Sequence, residues 1–275
     1  MQIYVKINIM DIHEARINFY LDTVKQLIPL DDSTILICGG GILDKQIFQK
    51  LKINNVTVTN VDERTSSTEF LPYNWDYQDA QKLNYKDNSF DYVIMHDAIH
   101  HCSKPHSAII ELFRVAKKGV LAFESRDSFV MRILERLKLT QTYEHAAVFY
   151  NGCKYGGVDN TEIPNYIFRW TEREIEKTIN TFSPCYNHKF VYRYSSAFPA
   201  TPALETGANL KMLFLKIILP FFKILKFFFK KQQNLFAFYI EKSSNKSNLK
   251  PWLNVDVKDN ISFNRQWGEK RYKAK

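Results

Sequence analysis

Short apolar runs and helix-period segments alternate through most of the chain. Residues 11–28 carry Ile12, Ala15, Ile17, Phe19, Tyr20, Val24 and Leu27 at helical spacing, and Pro29 closes the segment, which predicts a helix. Residues 35–38 (ILIC) read as a buried strand, 44–51 as a helix, and 56–61 as a second β-branched strand closed by Asp62. Residues 63–70 are polar and turn-rich, and 71–77 are weakly strand-like before Asp79 and Ala80. A turn at 86–89 leads into the apolar strand 90–95. A helix over 103–115 follows, with Ser103 as N-cap and Pro105 in its first turn. Lys117-Lys118-Gly119 stops it, and strand 120–123 ends at Glu124. Helices are predicted at 127–139 and 169–181, the latter with Thr171 and Glu174 as a capping box, and strands at 190–194 and 235–240. Strands alternating with helices predict a mostly parallel sheet covered on both faces.

The stretch from Ile35 to Asp62 organises the rest: strand, Gly39-Gly40-Gly41, helix, strand, acid. Glycines let the backbone turn sharply and approach a ligand closely. An acid roughly 20 residues later, at the end of the next strand, is placed to accept hydrogen bonds from a ribose diol. Asp44 stands where a dinucleotide fingerprint has its last glycine, which argues against a pyrophosphate on the helix N-terminus. A ligand with an adenosine and no phosphate tolerates that acid. The plainer alternative is a glycine turn that only links strand to helix.

The order ILICGGG, NVDER, QDAQKL, DNSFDYVIMHDAIHH and HSAIIELFRVAKKGVLAFE resembles the class I S-adenosylmethionine-dependent methyltransferases, of the small-molecule, quinone-methyltransferase-like type. The resemblance covers about 33–125 well and the remainder to 241 loosely. It implies a Rossmann-like, doubly wound, mostly parallel seven-stranded sheet with an antiparallel edge strand and helices on both faces. S-adenosylmethionine is then the implied cofactor. Carried over by position, Cys38, Gly39, Gly40 and Gly41 lie under its methionine part, Asp62 holds the ribose, Asp79 with Ala80 meets the adenine, and His96 flanks methionine and acceptor. The sequence departs from the family at Ile37, where an acid is usual, and at Leu43, where a glycine is usual. Residues 190–194 and 235–240 would form the antiparallel pair at the sheet edge, so residues 1–241 make up the methyltransferase domain and 242–275 a basic tail.

Methyl transfer needs an acceptor aligned with the methyl group and a route for the acceptor's proton. His100 and His101 follow the strand 90–95 at the edge where ligands bind in such sheets, and Glu124 ends the next strand; these three are the candidate catalytic residues. The alternative is that the histidine pair only packs on the following helix. His96, His100, His101, Cys102 and His106 repeat no metal-ligand spacing, so no metal is expected. Tyr150-x-x-x-Lys154 mimics a dehydrogenase pair, but Gly152 and Gly156 argue against the long helix that pair needs. Residues 143–170 are aromatic and glycine-bearing, a lid or substrate loop.

Composition adds three constraints. Hydrophobic content of 45% places the chain among folded proteins, and its 4 cysteines lie far apart, consistent with reduced thiols in a cytoplasmic protein. No secretory h-region is visible in the first ten residues. Residues 209–275 hold fifteen Lys/Arg and four Asp/Glu, a net +11, so the first 208 residues carry −2 of the total +9. That asymmetry points to a surface partner for the tail region rather than a nucleic-acid-binding core. Residues 210–231 (LKMLFLKIILPFFKILKFFFKK) are the most apolar of the chain, with six lysines and no acid. Lys216, Lys223, Lys226 and Lys230 fall within an arc of roughly 80° on a helix. The pattern predicts an in-plane helix on an anionic membrane, peripheral at its inner face, or a helix packed on the sheet or a second subunit; charge and Pro220 argue against a span.

The expected function is therefore methyl transfer to a small-molecule or lipid-linked acceptor, with O-methylation of a glycan or glycolipid favoured, without nucleic acid, and with an oligomer open. A catalytically weak binding or scaffold protein is one alternative, motivated by Ile37 and Leu43; an NAD(P)-dependent oxidoreductase, disfavoured by Asp44, is the other.

Overall fold

The computed structural model describes residues 2–29, 32–196 and 228–272, with side chains in the first helix from Glu14 onward. Most of the apolar segment at 210–231 lies outside the described residues. The elements in order are α1 (Gln2–Leu27), β1 (Ile35–Cys38), α2 (Ile42–Lys50), β2 (Val56–Asn60), β3 (Asn74–Tyr77), β4 (Phe90–His96), α3 (Pro105–Val115) and β5 (Ala116–Ser125). There follow α4 (Phe129–Arg136), α5 (His145–Tyr150), α6 (Glu172–Phe182), β6 (Lys189–Ser195), β7 (Leu235–Glu241), β8 (Leu253–Val255), β9 (Ile261–Phe263) and α7 (Arg265–Arg271).

Seven strands form one sheet in the order β3-β2-β1-β4-β5-β7-β6. β1 pairs in parallel with β2 and β4, and β4 with β5, while β7 runs antiparallel to both β5 and β6. The chain thus winds outward from β1 one way to β3 and, after crossing back to β4, the other way to β6. The switch between β1 and β4 is where such sheets leave a crevice at their carboxyl ends.

Successive residues of each central strand serve opposite cores. Leu36, Cys38, Val93, Met95, Val120 and Ala122 pack with α3 and α6. Ile35, Ile37, Tyr92, Ile94, Leu121 and Phe123 pack with α1 and α2. Both faces are covered, which is why these strands read as unbroken apolar runs rather than alternating ones.

Several boundaries differ from the sequence expectation. α1 begins at Gln2, earlier than residue 11. β5 begins at Ala116, so Lys117-Lys118-Gly119 lies inside a strand; the two lysines are exposed and Gly119 is buried under Tyr239. The segment 143–170 is less irregular than its composition suggests, holding α5 and a 3-10 turn at Val158–Asn160. Lys154 lies beyond the end of α5, separated from Tyr150 by the left-handed Gly152 and Cys153, so Tyr150 and Lys154 share no helix. Residues beyond 241 include a two-stranded sheet, β8 with β9, with Trp252 and Trp267 packed at 5.8 Å between ring centroids.

Candidate active site

β1 delivers the chain to its glycine turn at the middle of the sheet. Gly39 has φ of +62°, and a Cβ there would lie 2.7 Å from the Cβ of Ala98, so only glycine satisfies both torsion and space. The Gly40 N–H donates to the Thr59 carbonyl at 2.9 Å, and the Gly40 carbonyl accepts from Asn60 Nδ2 at 2.9 Å. A Cβ on Gly41 would meet nothing within 4 Å, so the turn is open on that side. Burial pushes the Cys38 thiol up to about 12, and that side chain lies in the core. What Cys38 contributes to the turn is main chain.

Asp44 is buried rather than facing a ligand. Its Oδ2 accepts the Gly41 N–H at 2.8 Å and its Oδ1 accepts the Tyr20 hydroxyl at 2.7 Å, linking α1 to the start of α2. The sequence argument against a pyrophosphate stands for a different reason. The carboxyl takes up a helix N-terminal N–H that a phosphate would need.

The expected ribose and adenine acids lie along the same edge. Asp62 follows β2 and is gripped by Arg64, whose Nε donates to Oδ1 at 2.8 Å and Nη2 to Oδ2 at 2.6 Å. These hydrogen bonds, against a smaller effect of burial, hold the Asp62 carboxyl below its ordinary value. Arg64 in turn lies 4.1 Å over the Tyr155 ring. Asp79 follows β3 and accepts the Gln81 N–H at 2.9 Å, with Ala80 buried beside it. Gln81 Nε2 donates to Asp159 Oδ1 at 2.9 Å. Both acids are therefore joined by one neighbour to residues 155–159 of the segment read as a lid. His96, at the end of β4, stacks on Tyr20 at 4.3 Å and lines a shallow surface cleft with Arg16, Phe19, Asp97, Phe123 and Leu235.

The three candidate catalytic residues come together, and a fourth joins them. The chain leaves β4 through the 3-10 turn Ile99–His101. Glu124 is fully buried at the end of β5; its Oε1 accepts the Ile99 N–H at 2.7 Å and its Oε2 lies 2.7 Å from His100 Nδ1. The other ring nitrogen, Nε2, faces Glu144 Oε2 at 3.2 Å. His101 Nε2 reaches the same Glu144 oxygen at 3.3 Å. Glu144 precedes α5, and its N–H donates to the Asn165 carbonyl, so the two arms of the 143–170 segment are bonded where they meet the histidines. Asn165 is buried, and its Nδ2 donates to the His100 carbonyl at 3.2 Å.

Charges in this network are mutually supporting. Burial works against a proton on His100, but the Glu124 and Glu144 carboxylates raise it well above its ordinary 6.5. Burial and the adjacent His100 push His101 below that value. Burial opposes ionisation of Glu144, yet the hydrogen bond from His100 and both imidazoles pull its carboxyl down to about 2. Near neutral pH His100 is an imidazolium held between the carboxyl groups of Glu124 and Glu144, with His101 a neutral imidazole at the open end.

Sequence comparison is informative at this point. Residues 37–123 match the family model described as a methyltransferase domain, which spans the glycine turn, both acids and the histidine pair. Over those residues the chain carries a methyltransferase domain of the kind that model describes. The fold agrees. A methyltransferase from Thermotoga maritima, S-adenosylmethionine-dependent by its description, superposes with a TM-score of 0.52 at 17% identity, over 84% of this chain and 92% of that one. A chain of the complex containing the Haloferax volcanii Trm112 methyltransferase activator gives 0.52 at 10% identity, over 89% and 96%. A Pyrococcus horikoshii protein gives 0.50 at 12% identity, over 84% and 91%. No curated protein sequence matches the chain.

The methyltransferase cofactor, S-adenosylmethionine, is an adenosine with a sulfonium and no phosphate. The residues present fit it: the Gly41 side of the turn is open, its helix N-terminus is occupied by Asp44, and two acids lie on the adjoining strand ends. Sequence reasoning missed Glu144 and Asn165. Their only signal was membership of a long aromatic segment, which cannot say where its acids fold back. It also grouped His96 and His106 with the pair, whereas His106 packs edge-on against Trp170 at 4.9 Å. Among the described residues, His100, His101 and Glu144 are the group whose side chains converge closely enough for a metal, which was not expected.

Proposed function

We propose that the chain methylates an oxygen of a small-molecule acceptor, such as a glycan, a glycolipid headgroup or a phenol, at the carboxyl edge of its sheet. The observation that carries this reading is the chain of contacts Glu124–His100–Glu144–His101 beside the glycine turn. When bound, S-adenosylmethionine supplies an electrophilic methyl group. The Gly39–Gly41 backbone, Asp62 and Asp79 hold it in this reading, and His96 with the Phe19–Phe123 cleft borders the acceptor.

His101 is the base. It is uncharged near neutral pH, whereas His100 holds its proton between two carboxyl groups. A hydroxyl proton passing to His101 leaves an imidazolium that Glu144 Oε2 stabilises at 3.3 Å. His100 acts as a fixed charge that positions Glu144, and Glu124 fixes His100. Histidine suits the task because its ordinary pKa lies near working pH. A screen of hydroxyl-bearing acceptors with radiolabelled methyl donor tests the proposal. Label transferred to an oxygen, and lost in His101→Ala, supports it; label found only on amines would overturn it.

A second element concerns location, and the acceptor we favour is lipid-linked. α4 buries Val130, Met131 and Leu134 yet exposes Phe129, Ile133 and Leu137 at successive turns. Phe228 and Phe229 are exposed as well, at the end of the apolar stretch 210–231, and Val130 N–H donates to Gln232 just beyond them. Exposed Arg132, Arg136, Lys138, Lys230 and Lys231 neighbour these apolar residues in sequence. Aromatic and aliphatic side chains rimmed by cations suit an anionic membrane surface. No helix among the described residues is long and apolar enough to cross a membrane. Co-sedimentation with anionic but not neutral vesicles, weakened by salt, is the expected result; indifference to both would end the membrane reading.

A further inference from the structure

We propose that His100, His101 and Glu144 form a site for one divalent transition-metal cation of the zinc class, with one position left open to an oxygen ligand. Imidazole and carboxylate together suit such a cation, whereas magnesium and calcium call for an all-oxygen shell.

The spacing is already close to that of a ligand set. Glu144 Oε2 lies 3.2 Å from His100 Nε2 and 3.3 Å from His101 Nε2. Zinc bonds of about 2.0–2.1 Å to nitrogen and oxygen, at tetrahedral angles, separate neighbouring ligand atoms by roughly 3.3–3.4 Å. Two edges of the ligand triangle therefore match. All three ligand atoms lie within 4.8 Å of one another, so the remaining edge closes by a swing of one imidazole.

The surroundings are those a ligating histidine uses. Glu124 Oε2 holds His100 Nδ1 at 2.7 Å and is itself fixed by the Ile99 N–H. A carboxylate behind a histidine sets the tautomer and aims the far nitrogen at the cation. Asn165 orients Glu144 from the other side, with Nδ2 at 3.4 Å from Oε2, while its buried Oδ1 has no partner among the described residues. His101 and Glu144 are 28% and 30% exposed, which leaves an approach from solvent. The ligands come from the turn after β4 and from the 143–170 segment, so the cation would also pin that segment to the sheet.

This inference rests on the methyltransferase reading only for what the open position would take, an acceptor oxygen. The cation would replace the His100 Nε2 proton and occupy the His101 Nε2 lone pair, so His101 serves as the base only in the cation-free protein.

The test uses the full chain carrying Cys153→Ser, so that its exposed thiol does not compete. After chelator treatment, Zn2+ is titrated by calorimetry and Co2+ by visible absorption. One equivalent of each is expected, with a tetrahedral nitrogen/oxygen Co2+ spectrum and no thiolate charge-transfer band. Glu144→Ala and His101→Ala should abolish uptake, and Glu124→Gln should weaken it roughly 10- to 100-fold. S-adenosylhomocysteine binding, unchanged in each variant, reports an intact fold. No stoichiometric uptake, uptake that survives both ligand substitutions, or a thiolate band would overturn the site. Loss of S-adenosylhomocysteine binding with cation uptake intact would instead strike the cofactor reading alone.

Discussion

Arg64 holds both carboxylate oxygens of Asp62 at 2.8 and 2.6 Å, from two residues further along the chain. The acid that would meet a ribose is thus engaged by a cation whose other face rests on Tyr155 of the 143–170 segment. Ribose binding in this geometry exchanges one partner of Asp62 for another.

Arg64→Ala should remove that competition. An exposed ion pair is worth about 0.2–1 kcal/mol, so S-adenosylhomocysteine affinity should rise by up to about fivefold. The same change should make residues 143–160 more open to limited proteolysis, because the ring of Tyr155 loses its support. Weaker binding in the variant would mean that Arg64 itself meets the ligand.

His101→Ala should lower turnover roughly 10²–10⁴-fold while leaving S-adenosylhomocysteine affinity nearly intact. His100→Ala should cost stability as well as turnover, since it leaves Glu124 buried without its main partner. Thermal unfolding alongside methyl transfer separates the two. Equal, mild losses of activity in both variants would return the pair to a packing role.

The contrast between those two histidines shows where the sequence ran out. The alternation of strands and helices, both faces of cover and the glycine turn were legible, because buried parallel strands write continuous apolar runs and Gly39 occupies a torsion few other residues adopt. Glu124 was legible as the last residue of its strand. Glu144, the other partner of His100, was not, because it lies 44 positions along the chain in a segment with no period. Asp44 was legible as an acid at the start of α2, but its partner was not. Its role is set by Tyr20, 24 residues upstream, and only packing brings that hydroxyl to it. The tail from 242 looked merely polar because two short strands and two tryptophans give too little pattern to predict a fold.

A second, partly buried ion pair gives a pH signature. Arg126 Nη2 donates to Glu172 Oε2 at 2.7 Å, and Tyr194 donates to Oε1 at 2.6 Å, tying the end of β5 to α6 and β6. Burial opposes its ionisation, but these bonds pull the Glu172 carboxyl from 4.5 down to about 2. The unfolded chain takes up the proton first as pH falls. The contribution is therefore complete above about 4.5 and lost as pH drops toward 2. Glu172→Gln should flatten that part of the acid-unfolding curve, and Arg126→Met should cost about 1–3 kcal/mol at neutral pH. Urea denaturation across pH checks both; an acid limb unchanged in Glu172→Gln would contradict the assignment.

The most direct test is calorimetric titration of S-adenosylhomocysteine into the full chain and into Asp62→Ala, with circular dichroism to confirm that the variant is folded. One site is expected in the natural chain. Binding should be about 1.5–3 kcal/mol weaker in the variant, roughly 10- to 150-fold, because two ribose hydroxyls lose a charged acceptor. No binding by the natural chain, or the same affinity in folded Asp62→Ala, would contradict the placement of the cofactor on the β1–β3 edge.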